Sequence, residues 1–257
     1  MQKASVDEEL CLRRMLRRSI MGEGVLPSLG QGYRALVLGA SGGIGSAYLA
    51  AFHDDPACAG AYGLSRRHDG FDVTDEASVS AAAERFRSEG AGFDVIVCTT
   101  GALSIDGVGP EKTIKAVSAE AMAAQFALNA IGPALVLKHF SPLLSRDRRS
   151  LMAFLSARVG SIGDNRLGGW ISYRASKAAL NQIVRTSAIE IARTRPLAVI
   201  AALHPGTVAT ALSDRFSAGH ERFSPDDSVA RMLAVLDGLD PAASGTFHAY
   251  DGQLIPW

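Results

Sequence analysis

The run Ala35-Leu36-Val37-Leu38-Gly39-Ala40-Ser41-Gly42-Gly43-Ile44-Gly45 decides the fold. Four apolar residues end in a glycine loop, and 44–52 continues at helical spacing, so the run reads as buried strand, tight turn and helix. Glycines at 39, 43 and 45 let the chain turn sharply, let a pyrophosphate approach the backbone, and let the helix pack close on the sheet. The helix N-terminus then faces the anion. The middle of the motif is longer than in G-x-G-x-x-G, but a strand before and a helix after are the context a dinucleotide site requires.

The alternation continues downstream. Further apolar runs at 61–64, 71–73, 93–98, 151–155, 197–201 and 245–249 are separated by helical stretches at 76–88, 118–144, 171–193 and 225–236. Continuous apolar strands between helices predict a mostly parallel, seven-stranded sheet covered by helices on both faces, a doubly wound α/β fold in one domain. Ligands in such sheets bind beyond the carboxyl ends of the strands, and the polar residues of this sequence gather at those ends.

Composition narrows the function classes. The 257 residues are 47% hydrophobic and 20% charged, the mix of a packed globule. A formal net charge of zero gives no electrostatic ground for nucleic-acid binding. No apolar run approaches the ~20 residues of a membrane span. Cys11, Cys58 and Cys98 lack metal-ligand spacing and read as thiols of a reducing, cytoplasmic compartment, with no secretory signal read. The histidines form no spaced set with carboxylates or cysteines, so no metal site is expected; His204, before Pro205, reads as a packed side chain. Residues 1–32 differ: Arg13, Arg14, Arg17 and Arg18 interleave with apolar residues, and glycines and Pro27 follow. This stretch is expected to be a poorly ordered extension, membrane recruitment by 10–20 being the other reading, and the domain is expected to span 33–257.

Two polar constellations suggest chemistry. Tyr173-Arg174-Ala175-Ser176-Lys177 puts a phenol and an ammonium one helical turn apart on the same face. At ~4–5 Å and an effective dielectric of ~20, the ammonium supplies about 3–4 kcal/mol. Bringing a phenol from ~10 toward ~7 needs roughly 4 kcal/mol, so the pair is expected to donate a proton at neutral pH. After the second strand comes Ser65-Arg66-Arg67. An acid there would read the ribose hydroxyl of NAD, whereas arginine accommodates the 2′-phosphate of NADP. NADP(H) is therefore expected, with Arg66 the chief contact and Arg67 in support; NAD(H) is left open.

From Tyr33 onward these motifs resemble the short-chain dehydrogenases/reductases, and a Rossmann-type domain is what the resemblance implies. Gly39, Ser41, Gly43, Ile44 and Gly45 match that family's cofactor loop, and Tyr173 with Lys177 its proton-transfer pair. Asp72-Val73 matches the pair whose carboxylate reads the adenine amino group. Pro205-Gly206-Thr207-Val208-Ala209-Thr210 matches the segment that holds the nicotinamide amide and pyrophosphate through backbone and threonine. Asn129 matches the family's helical asparagine; Pro133, lacking an N–H, leaves the carbonyl of Asn129 free as a relay acceptor. The stretch 158–177 and the ending Asp251-Gly252-Gln253-Leu254-Ile255-Pro256-Trp257 are similar to the branch of sniffer-type carbonyl reductases and C-factor proteins.

The resemblance implies NADPH-linked reduction of a carbonyl in a small-molecule substrate, with pairing into a homodimer or homotetramer through helices 118–144 and 171–193. A nucleotide-binding signalling or scaffold protein without turnover is the alternative. Two departures bear on this. Thr99-Thr100-Gly101-Ala102 replaces Asn-Asn-Ala-Gly, though backbone contacts such as that of Gly101 survive such a change. The family's catalytic serine position is Ala157, and its neighbour Ser156 faces the other way along a strand. Either a bulge re-aims Ser156, which is the favoured reading, or Ser161 or a water substitutes, or the reductase is impaired. The loop 211–224, with Phe216, His220 and Phe223, is expected to act as a substrate lid.

Overall fold

The computed structural model describes residues 24–210 and 222–257. The basic segment 10–20, Cys11 and most of the expected lid lie outside the described residues. In chain order the elements are β1 (Tyr33–Leu38), α1 (Gly43–His53), β2 (Cys58–Leu64), the short α2 (Arg66–Asp69), α3 (Glu76–Ser88) and β3 (Val95–Cys98). They continue with α4 (Ala119–Phe126), α5 (Gly132–Phe140), β4 (Ser150–Leu155), α6 (Ile171–Ile191), β5 (Ala198–His204), α7 (Pro225–Gly238) and β6 (Thr246–Ala249).

The sheet runs β2-β1-β3-β4-β5-β6, and every neighbouring pair is parallel. Leu38 lies opposite both Leu64 and Cys98, Cys98 opposite Phe154, and Leu155 opposite Leu203. The strands therefore end along one line, and the loops after them share one edge. The order reverses between β1 and β3, where chains leave to opposite sides and open a crevice for a ligand.

Strand alternation splits the core into two layers. Leu36, Leu38, Ile96, Met152, Phe154 and Ile200 face the layer containing Val79, Val136 and Leu180, from α3, α5 and α6. Val37, Val95, Leu151, Ala153, Val199 and Leu203 face the layer containing Tyr48, Phe52 and Met232, from α1 and α7.

Four details differ from the sequence reading. Residues 71–73 are not a strand: α2 and Gly70, at φ +66°, break the chain before them. Phe71 and Val73 are buried, but the Phe71 N–H donates to the Ser65 carbonyl and the Asp72 N–H to Ser78 Oγ. The sheet thus has six strands among the described residues, not seven. Second, the long helix 118–144 is interrupted by a π-helical turn at Ala127–Ile131, just before Pro133 removes a backbone donor. Third, Ala119–Leu143, read as no membrane-length run, is by length and composition alone long and apolar enough to cross a membrane, with an 18-residue stretch of mean hydropathy 1.3. Here it packs against α3 and α6 as a layer of the domain. Fourth, residues 24–32, expected in the extension, belong to the packed domain. Leu26 is fully buried, and the Val25 N–H donates to Asp55 Oδ2 at 2.8 Å.

A buried carboxylate ties β1 to β3. Asp94 accepts from the Arg34 N–H (2.9 Å), Ser145 Oγ (2.6 Å) and Arg148 (2.7 Å). Its side chain is 2% exposed, whereas that of Arg148 is 56% exposed. Removing the acceptor strands buried donors, while removing the exposed guanidinium leaves the other two bonds in place. Asp94→Ala is expected to lower stability by about 3 kcal/mol in urea unfolding, and Arg148→Ala by less than about 1 kcal/mol. Equal losses would show that the ion pair, rather than the buried acceptor, holds this corner.

Candidate active site

The glycine loop sits where the strand order reverses. Gly39 turns at φ +92°, and the N–H groups of Gly39 and Ala40 both donate to the Leu64 carbonyl. A Cβ at Gly45 would overlap the Gly39 carbonyl oxygen, so only glycine lets α1 start this close to the strand. Ser41, Gly42 and Gly43 are exposed, and Ile44 is half-buried. Among the described residues the α1 N-terminus has no side-chain cap, and its first turn holds no acidic residue, so its N–H groups can face an anion. Thr99 accounts for one departure from the family pattern: its hydroxyl donates to the carbonyls of Leu38 (3.0 Å) and Gly39 (3.1 Å).

The next two motifs flank this loop. Arg66 is 81% exposed, with its guanidinium 3.8 Å from Asp72. The hydroxyl and N–H of Thr74, and then Arg66, hold the Asp72 carboxyl below its ordinary range. Val73 is buried instead, and a Cβ at Gly132 would lie 2.9 Å from its methyl group. On the far side Thr210 closes over the loop, its methyl 3.0 Å from where a Cβ on Gly43 would sit. Gly206, at φ +77°, packs between the rings of Phe223 and Tyr250. Ser228 Oγ donates to the Pro205 carbonyl (2.7 Å), and the Phe223 N–H to that of Thr207 (2.9 Å). Val208 is buried and bridges to Phe223.

Tyr173, Lys177, Asn129 and Gly101 come together at the ends of β3 and β4. Lys177 is 4% exposed and its Nζ donates to the Leu155 carbonyl at 2.9 Å. A Cβ on Gly101 would lie 2.8 Å from Asn129 Oδ1 and 3.1 Å from Lys177 Nζ. Asn129 grips the loop after β3 at both main-chain atoms of Ala102, donating at 3.0 Å and accepting at 3.1 Å. Its amide also donates to Gln125 Oε1 (2.6 Å), and Gln125 Nε2 donates to the Leu103 carbonyl. Gln125 was not singled out from the sequence, although it lies one helical turn before Asn129.

The electrostatics of the pair correct one expectation. Burial pushes the Tyr173 phenol well above its ordinary value, not toward neutrality. The ammonium lies 5.9 Å from the ring centroid and is directed to the Leu155 carbonyl. Burial also pulls the Lys177 ammonium down to about 8. In this state desolvation outweighs attraction, and Tyr173 holds its proton.

The serine candidates are engaged elsewhere. Strand alternation puts Ser156 on the α6 side of the sheet with Met152 and Phe154. Its Oγ donates to Asn181 Oδ1 at 2.6 Å. Ser161 Oγ donates to the Pro256 carbonyl and accepts from the Asp164 N–H. Neither contact brings a serine to Tyr173. Ala157 is extended, with φ −143°, and half-buried. His204 has a buried Nδ1 with no hydrogen-bond partner among the described residues, and burial with nearby Arg158 pulls it down to about 4.

A cavity of ≈ 640 Å³ opens beside Tyr173, its lining including Ile105, Val108, Glu111, Gln125 and Ser172. The buried Lys177 has a consequence for stability. Its folded value lies below its unfolded value, so the unfolded chain binds the extra proton between about 8 and 10.5 and wild-type stability rises with pH across that window. The stability of Lys177→Met relative to wild type is expected to fall by about 2 kcal/mol between pH 7.5 and pH 10 in urea unfolding. A pH-independent difference would mean that the ammonium is not disfavoured by burial.

A family model described as short chain dehydrogenase matches residues 33–221. The chain is 31% identical over 233 residues to a 1-hydroxy-2-glutathionyl-2-methyl-3-butene dehydrogenase of Rhodococcus sp. (strain AD45), spanning 86% of this chain and 98% of that protein. It is 39% identical over 138 residues to the C-signal protein of Myxococcus xanthus, spanning 53% of this chain and 78% of that one. Among solved structures, an NADPH-bound carbonyl reductase from chicken fatty liver is similar with a TM-score of 0.75 and 25% identity, covering 91% of this chain and 98% of that one. The glycine loop at the strand reversal, the buried tyrosine–lysine pair and these likenesses agree: the chain belongs to the short-chain dehydrogenase/reductase family and is an NAD(P)-dependent oxidoreductase.

Proposed function

We propose that the chain uses NADPH to reduce the carbonyl of an aldehyde or ketone, with Tyr173 as proton donor. One observation carries the reading: a phenol kept protonated by burial lies beside both a cavity and a buried ammonium. Such a phenol carries its proton at neutral pH, but burial makes it a weaker acid than a free phenol, so donation requires a strongly basic acceptor. As a carbonyl gains hydride its oxygen becomes strongly basic, and the proton of Tyr173 moves to it. The ring of the phenolate that forms has its centroid 5.9 Å from Lys177 Nζ, and opposite charges at roughly 6 Å attract by about 3 kcal/mol at an effective dielectric near 20. Lys177 therefore acts most strongly after the proton has left.

The residues at the strand reversal fit an NADP cofactor. The open α1 N-terminus and glycine cradle suit a pyrophosphate, and Arg66 offers an exposed guanidinium at the position where an NAD enzyme carries an acid. Asp72 would hold the adenine amino group, and Pro205 to Thr210 the nicotinamide end. When bound, this cofactor supplies the hydride. The main-chain carbonyl of Asn129, in the π-helical turn, is the expected end of the proton relay. Orientation of the substrate by Ser156 requires its hydroxyl to exchange Asn181 for the carbonyl. The cavity has room for more than a small aldehyde, in keeping with a relative named for a glutathionyl-bearing hydroxy compound. Pairing with a second copy is part of this reading, with Ile131 and Ile189 exposed on the helices concerned.

A second reading, a nucleotide-binding signalling or scaffold protein, draws on the C-signal likeness and on Ala157. Absorbance at 340 nm with NADPH and a panel of aldehydes and ketones separates the two. The expected result is turnover with at least one carbonyl, a loss of at least 100-fold in Tyr173→Phe, and a raised KM for NADPH in Arg66→Ala. Tight NADPH binding without turnover on any carbonyl would favour the second reading.

A further inference from the structure

The loop between β3 and α4 returns a carboxylate to the start of α6, one residue from Tyr173. Glu111 is 8% exposed. Its Oε2 accepts from the Ser172 N–H at 3.2 Å, and its Oε1 from Ser172 Oγ. Its main-chain carbonyl accepts the N–H of Trp170.

Among the described residues no local side chain caps α6. Trp170, at the N-cap position, makes no side-chain cap bond and sits in the left-handed region at φ 54°. Gly168 and Gly169 precede it at φ 65° and 66°. Three successive left-handed residues, the last of them a tryptophan, do not hold a helix start by themselves. Arg174 braces the run from inside the helix, donating to the carbonyls of Gly169 (2.9 Å) and Gly168 (3.1 Å). Glu111 braces it from outside. Burial pushes its carboxyl up, but the bonds from Ser172 and from its own N–H outweigh that and leave it below the usual range, so it is ionised at neutral pH. A carboxylate at a helix N-terminus also meets the positive end of the helix dipole.

We propose that Glu111 is a positioning residue: its carboxylate caps α6 from the neighbouring loop and fixes Tyr173 against the cavity that both residues line. The inference rests on the reading of Tyr173 as proton donor, but it can be tested apart from that reading. Loosening this cap frees the first turn of α6, and with it the phenol, while leaving the glycine loop and Arg66 intact.

The test compares Glu111→Ala, Glu111→Gln, Ser172→Ala and the Glu111→Ala/Ser172→Ala pair in the full chain. Expected are a kcat at least tenfold lower in Glu111→Ala, a Kd for NADPH within twofold of wild type, and partial recovery in Glu111→Gln, which keeps one acceptor. The double variant should fall no further than Glu111→Ala, because both changes break one contact. The ring-carbon NMR signal of Tyr173 should move in Glu111→Ala whether or not a carbonyl is turned over. An unmoved signal overturns the positioning role, as does wild-type kcat in Glu111→Ala beside an inactive Tyr173→Phe. A kcat loss matched by weaker NADPH binding also overturns it, since that pattern marks a general structural defect. A moved signal in a protein that turns over no carbonyl supports the positioning role and defeats the functional reading instead.

Discussion

A lysine ammonium sunk against the end of the sheet is the constraint around which this site is built. Lys177 is almost wholly buried, and its Nζ donates to the carbonyl of Leu155, the last residue of β4. That geometry dictates its neighbours. Gly160 lies where a Cβ would come within 2.8 Å of Lys177 Cβ, and Gly101 where one would come within 3.1 Å of Nζ. The loops after β3 and β4 therefore carry glycine at the two points where they meet the lysine. The same burial pulls the ammonium down and pushes the neighbouring phenol up. Stability is lost by this arrangement, as is common where a fold holds charge for chemistry.

Around that lysine the site is assembled from strand ends. The in-register parallel sheet brings Gly39, Thr99, Gly101 and Ser156 to one edge, and the reversal of strand order between β1 and β3 opens the crevice. Thr99 joins the loops after β1 and β3 through its hydroxyl. Asn129 and Gln125 join the loop after β3 to the π-helical turn. Glu111 joins that same loop to the first turn of α6. The loop 99–112 thus touches the glycine loop, the Asn129–Gln125 pair, Lys177 and the first turn of α6.

The legible parts of this structure were the local ones. Strand, glycine turn and helix follow from apolar runs and from backbone positions only glycine can fill, and the Tyr173–Lys177 pair follows from helical spacing. The π-helical turn was foreshadowed by Pro133, since a missing donor must be accommodated somewhere. The stretch 71–73 misled because its apolar residues are buried, while its backbone bonds go to Ser65 and the Ser78 side chain instead of to a strand. Burial and strand pairing are separate conditions, and composition reports only the first. The phenol was misjudged for a related reason. Spacing gives the distance to the ammonium, but the desolvation that outweighs it depends on everything packed around Tyr173. The partners of Ser156, Ser161 and Glu111 lie on other elements of the chain, so no local pattern announces them.

The central claim is that burial, not the ammonium, governs the Tyr173 phenol in the free protein and keeps it protonated above its ordinary range. A titration of ring-labelled tyrosine by carbon NMR, with Tyr173 assigned by comparison with Tyr173→Phe, measures this directly. The account predicts that Tyr173 keeps the chemical shift of a neutral phenol beyond pH 10. A resonance that titrates near pH 7 would contradict it and restore the ammonium as the dominant influence.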